Sequence, residues 1–248
     1  MKQYEAVILA LEKLGGVATL GQLNQEVFKI KDCEWKTKTP FASIRRIVQL
    51  DKNIFKIKPG LYGLEKMRDE IEKRGIVFET EKNKDSKGYQ EFNHAYYQGL
   101  LLIIGELKGL FTFVPNQDKN RKFFDDRKLS EISNLSELPS YSYDKLVQRS
   151  STIDVIWFNE RKMPHTFFEI EHSTDIQNSL LKFNDLRDFY SRMIIVADYK
   201  RKDEYLKKIK FSSFKDLSKN NRVSFLDYES LNKQYESLLE QQTFELIL

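Results

Sequence analysis

Cysteine is nearly missing from this chain of 248 residues, where Cys33 stands alone. No disulfide can form within it, and a reducing compartment is the natural setting. Histidine is almost as scarce, and His94 and His165 lie far apart without the Cys or His spacing of a zinc site. No glycine-rich loop of the phosphate-cradling kind occurs, which argues against nucleotide hydrolysis. Ser150-Ser151 has no nucleophile-elbow context and reads as loop. No apolar run approaches the roughly 18 residues that cross a bilayer, so no membrane partner is expected. The start, Met1-Lys2-Gln3-Tyr4-Glu5, lacks the apolar core of a secretory signal. A cytoplasmic protein is the resulting expectation.

What is present is a large apolar complement, 40% with 13% aromatic, enough for one large core or two smaller ones. Charge of either sign is plentiful, but its balance is uneven. Residues 1–70 hold 13 Lys and Arg against 9 Asp and Glu, while the remainder holds 28 of each. Within 35–60, Lys36, Lys38, Arg45, Arg46, Lys52, Lys56 and Lys58 face only Asp51. Such a concentration suits a polyanion, although charge runs are more often solvated surface.

The pattern of the first 65 residues predicts three helices and a hairpin. Val7, Ile8, Leu11 and Leu14 share a helical face that stops at Gly15-Gly16. Thr19 caps a second helix, and Thr39-Pro40 starts a third over Phe41 to Leu50. Two short alternating runs around Pro59-Gly60 form the hairpin. This order resembles a winged helix-turn-helix. The resemblance implies base or groove contacts by Ser43, Arg45, Arg46 and Gln49, with backbone contacts by Lys56 and Lys58. Lys36 and Lys38 extend the basic surface, and double-stranded DNA is the implied partner. A protein-binding role for the same module is the competing reading.

Residues 66–91 are highly charged and read as a boundary helix and linker, loop-like over 79–88. From Phe92 the chain predicts a buried helix, a strand at 111–114, a polar excursion over 115–150, and paired strands at 152–158 and 166–171. A helix over 176–190, a strand at 192–197, a helix over 202–209, a strand near 223 and a last helix from Tyr228 follow. The expected class is mixed α/β (α+β): a winged helix at 1–65, then at 92–248 a mixed central sheet flanked by helices.

Three acids interrupt strands that otherwise read as core. Asp154 lies in the first strand of the pair, and Glu169 and Glu171 share one face of the second. Burying a carboxylate costs several kcal/mol unless something compensates. Converging carboxylates suit Mg²⁺, with Mn²⁺ as a substitute. The order of elements and the sequence Asp154…Glu169-Ile170-Glu171 resemble the PD-(D/E)xK nuclease superfamily, in the Glu-x-Glu variant found in some type II restriction enzymes. That resemblance implies a restriction-type DNA endonuclease with Asp154 and Glu169 as metal ligands and Glu171 as general base or water orienter. It departs from the usual pattern in placing Glu171 where lysine normally stands. Lys182 on the following helix is the alternative holder of that role, and Glu106 loosely matches an extra acidic ligand. The missing lysine also leaves open a non-cutting DNA-binding regulator with a degenerate core, or an RNA or structure-specific nuclease. Cutting both strands with one site per chain would suit a homodimer.

Overall fold

The computed structural model describes residues 1–80, 82–83, 86–219 and 222–247, side chains of 244–247 aside. Glu81, Lys84 and Asp85 of the expected linker lie outside them. The chain divides into two compact units, Met1–Phe92 with Asn232–Leu248, and Asn93–Leu231.

In the first unit, α1 (Gln3–Lys13) precedes a short strand β1 (Val17–Thr19), α2 (Leu20–Val27) and α3 (Pro40–Leu50). The hairpin β2 (Ile54–Lys58) and β3 (Leu61–Leu64) follows, then α4 (Arg68–Lys73). Thr19 caps α2 as expected, in a capping box with Gln22. β1 pairs with β3, making a three-stranded antiparallel sheet where only a hairpin was anticipated. Gly60 turns the hairpin at φ +75°, a conformation that favours glycine. Ala6, Leu11, Leu23, Ile44 and Leu64 meet in one core.

The same unit takes residues from the C-terminal helix α11 (Tyr228–Ile247), which the sequence reading placed with the span 92–248. Gly21 of α2 lets Leu239 approach so closely that a Cβ there would stand 2.6 Å from Leu239 Cδ1. Nearby, Asn24 donates to Glu240 at 3.0 Å and Arg45 pairs with Glu236 at 2.8 Å.

The second unit begins in α5 (Lys87–Leu107) and contains β4 (Phe111–Phe113), α6 (Leu129–Ile132), α7 (Asp144–Ser150), β5 (Val155–Phe158) and β6 (Pro164–Glu171). It continues through α8 (Ile176–Asp185), β7 (Arg192–Ala197), α9 (Lys202–Lys208), α10 (Lys215–Lys219) and β8 (Val223–Asp227). Strand order follows chain order, β4-β5-β6-β7-β8. β5 runs antiparallel to both β4 and β6, whereas β6, β7 and β8 are parallel to one another, so the sheet is mixed. One face packs Ile156, Phe158, Phe167 and Ile195 against Ile176, Leu180 and Phe183 of α8. A fully buried Phe183 is worth about 1.5–3 kcal/mol. On the other face, the Trp157 indole donates to the Leu101 carbonyl of α5 at 2.9 Å.

Several boundaries move: α5 begins at Lys87 rather than Phe92 and β6 at Pro164 rather than 166. α8 ends at Asp185 rather than near 190, and the strand expected from Thr152 begins only at Val155, because residues 151–154 turn out of α7. Asp154 is therefore the residue that enters β5. Among the described residues no helix is long and apolar enough to cross a membrane.

Candidate active site

The antiparallel register pairs Val155 with Phe168, which sets Asp154 beside Glu169 and Ile170. The Ile170 N–H donates to Asp154 Oδ2 at 2.7 Å and fixes the carboxylate. Glu169 and Glu171 fall on the Phe167 face of β6, toward α8, as period-2 alternation predicts. Both are buried, Glu169 at 2% exposure.

α8 answers them with two residues three positions apart, Ser179 and Lys182, which lie on one helical face. Ser179 Oγ donates to Glu169 Oε2 at 3.0 Å and also binds Glu171 Oε1. Lys182 Nζ stands 2.7 and 3.0 Å from the two Glu169 oxygens and 3.0 Å from the Thr152 carbonyl. Glu171 Oε2 takes the Thr174 hydroxyl, with Arg201 Nη1 at 4.0 Å. Both oxygens of Glu171 are thus engaged by α8 and its approach.

The electrostatics set the carboxylates apart. Burial pushes Glu169 well above the usual carboxylate range, and the negative charge of Asp154 adds to it, against Lys182 and Ser179. Burial would also raise Asp154, but the His94 imidazole and the Ile170 N–H outweigh it and hold Asp154 low. Glu171 is raised, by burial first, with the hydroxyls of Ser179 and Thr174 opposing. Lys182 would be lowered by burial, yet Glu169 keeps its ammonium above the ordinary lysine value. The donor set fits a divalent cation. Two neighbouring carboxylates in a buried corner repel one another, and positive charge on both relieves that repulsion.

Sequence reasoning passed over His94 and Asp118. His94, on α5, brings Nε2 to 3.5 Å from Asp154 Oδ1 and 3.9 Å from Asp118 Oδ2. Asp118 is buried and held by Arg121 Nε at 2.7 Å and by the Gln98 amide at 2.9 Å. No local motif could have signalled these residues, because they reach Asp154 from sequence positions 60 and 36 residues away. Glu106 is not brought to the site. It is exposed near the C-terminal end of α5, 12 residues and so about 18 Å of helix beyond His94. His172, beside the motif, lies with Nδ1 2.5 Å from the Tyr228 hydroxyl, which stacks on Tyr97.

Among the expected DNA contacts, Lys36, Lys38, Arg46, Gln49 and Lys56 are exposed, and Ser43 is half-buried with its hydroxyl on the Thr39 carbonyl. Arg45 keeps its ion pair with Glu236. Lys58 departs from expectation, because it is 6% exposed, with Nζ 4.4 Å from the Phe92 ring. The cause is a bulge between Lys56 and Lys58 in the β2 register, which turns Lys58 inward where regular alternation would face both lysines outward.

Residues 77–247 match the family model described as the C-terminal domain of the type II restriction enzyme NmeDI. The type II restriction enzyme NmeDI of Neisseria meningitidis serogroup C is 27% identical over 152 residues, covering 57% of this chain and 42% of that enzyme. The chain thus spans less than half the length of its curated relative. No solved structure matches.

Proposed function

The chain belongs to the NmeDI C-terminal domain family, and on that premise we propose that it is a restriction-type endonuclease that hydrolyses double-stranded DNA with a divalent cation, Mg²⁺ or Mn²⁺. The observation that carries this reading is the convergence of Asp154, Glu169 and Lys182 where β5 enters the sheet beside the end of β6.

A cation on Asp154 and Glu169 would supply positive charge to the scissile phosphate and acidify the attacking water. Asp154, pinned by Ile170 N–H, offers a carboxylate of fixed orientation, and the resemblance to the PD-(D/E)xK superfamily implies the Ile170 carbonyl as a third oxygen that would hold the cation. Lys182 remains an ammonium at neutral pH, so it orients water and steadies the charge developing on phosphate. It occupies the role of the PD-(D/E)xK motif lysine from the following helix, which answers the departure at Glu171. Glu171 ties down Ser179 and Thr174 and thereby positions α8, rather than removing a proton itself. For the first unit, the order α1, α2, α3 and hairpin with exposed Arg46, Gln49 and Lys56 supports a winged-helix DNA contact.

Supercoiled plasmid incubated with the protein and Mg²⁺ or Mn²⁺ tests the reading. Lys182→Ala and Asp154→Asn should each lower the cleavage rate by about 10²–10³ with DNA binding retained. Glu171→Gln should cut within about tenfold of wild type, because its amide still accepts one hydroxyl. A dead Glu171→Gln beside an active Lys182→Ala would return the water to Glu171. Wild type that cuts no plasmid, methylated or not, would favour the non-cutting regulator.

A further inference from the structure

We propose that His94, Asp118 and Asp154 form a second cation position, adjoining the Asp154–Glu169 pair, whose mixed nitrogen and oxygen donors select Mn²⁺-class ions over Mg²⁺. The proposal deepens the nuclease reading and rests on it for its role in the reaction, but the binding it describes needs no DNA.

One donor atom from each of the three residues lies within 4.8 Å of the others. The imidazole Nε2 is 3.5 Å from Asp154 Oδ1 and 3.9 Å from Asp118 Oδ2. Those separations are long for hydrogen bonds. They match the edges of a coordination shell with arms of roughly 2.0–2.4 Å, for which neighbouring donors stand about 3–4 Å apart.

The donors come from three places in the second unit: α5, the turn after β4, and the entry to β5. Each carboxylate is oriented from behind. Ile170 N–H takes Asp154 Oδ2, which leaves Oδ1 as the oxygen nearer His94. Arg121 takes Asp118 Oδ1, and Oδ2 is the oxygen nearer His94. Such outer contacts are the usual support of a metal-binding shell.

Gln98 supplies an independent pointer. It is fully buried, and its amide nitrogen donates both to Asp118 Oδ2 at 2.9 Å and to the Asp154 carbonyl at 3.0 Å. Its amide oxygen is a buried acceptor with no hydrogen-bond partner among the described residues. That leaves a further oxygen donor one amide width from the cluster. Glu169 is not one of the three, since Lys182 and Ser179 hold it on the α8 side. Imidazole among oxygen donors suits Mn²⁺ and later divalent ions, whereas Mg²⁺ prefers an all-oxygen shell.

The test is Mn²⁺ titration of the chelator-stripped 248-residue chain without DNA, followed by loss of the free-ion electron paramagnetic resonance signal and by echo-modulation spectra of the bound ion. Wild type should bind two Mn²⁺ and show nitrogen coupling from one imidazole. His94→Gln and Asp118→Asn should weaken one of the two by roughly tenfold or more, and His94→Gln should remove the coupling. Glu169→Gln should keep the coupling, and Mg²⁺ should displace the nitrogen-coupled ion poorly. Circular dichroism of each variant guards against misfolding. Absence of nitrogen coupling in wild type, or unchanged Mn²⁺ binding in a folded His94→Gln, would overturn the proposal. Plasmid cleavage with the same samples is scored separately, so a protein that binds Mn²⁺ through His94 yet cuts nothing refutes the nuclease reading alone.

Discussion

Lys58 shows at the scale of one residue how burial can reverse a role. Desolvation lowers its amine to about 7, with the charge of Glu79 opposing. Below about pH 7 the folded chain must bury a charged lysine, and the full cost is present. As pH rises from about 7 toward the ordinary lysine value of 10.5, the folded state has released its proton while the unfolded state still holds one, so stability climbs. A Lys58→Met variant should therefore melt higher than wild type at pH 6–7, by a few kcal/mol, with the difference shrinking by pH 10. Thermal melts across that range check it, and a difference independent of pH would contradict the lowered amine. The same burial removes Lys58 from the exposed basic surface of the first unit.

At the scale of elements, α11 should behave as part of the first unit's core. Leu239→Ala should cost about 2–5 kcal/mol in denaturant unfolding. Alanine normally improves a helical glycine by about 1 kcal/mol, but at Gly21 it meets Leu239 and should destabilise. The double variant should lose less than the sum, because alanine at 239 vacates the space that the new methyl needs. Much of the element order was legible in the sequence, since β6, β7 and α8 carry unmixed periodicities and Thr19 caps its helix. The shared face of Glu169 and Glu171 followed from alternation alone. What escaped was non-local or irregular. A bulge of one residue reversed Lys58, α11 meets Gly21 and Asn24 from more than 200 residues away in sequence, and His94 and Asp118 meet Asp154 only through the fold. Lys182 was visible as a candidate because α8 follows the acidic strand directly, but only its contact with Glu169 favours it over Glu171.

For the whole molecule, the exposed bases of the first unit set an expectation for DNA binding. If Lys36, Lys38, Arg46 and Lys56 each meet a phosphate, affinity should fall with salt at a log–log slope near −3.6. Lys56→Ala should lessen that slope by about one, whereas Lys58→Met should leave it unchanged, and gel-shift titrations between 50 and 200 mM salt would read both. A slope insensitive to Lys56 would remove the hairpin from the contact. The path of the chain carries a further consequence. It leaves the first unit after Phe92, builds the second through Leu231, and only then supplies Tyr235, Glu236 and Leu239 to the first. Domains made on a ribosome generally fold in order from the N-terminus. Here that order is inverted, so during synthesis the sheet bearing Asp154 and Glu169 can close while the basic unit still waits for its last helix, and a truncated translation product would carry the Asp154–Glu169 corner without a completed first unit.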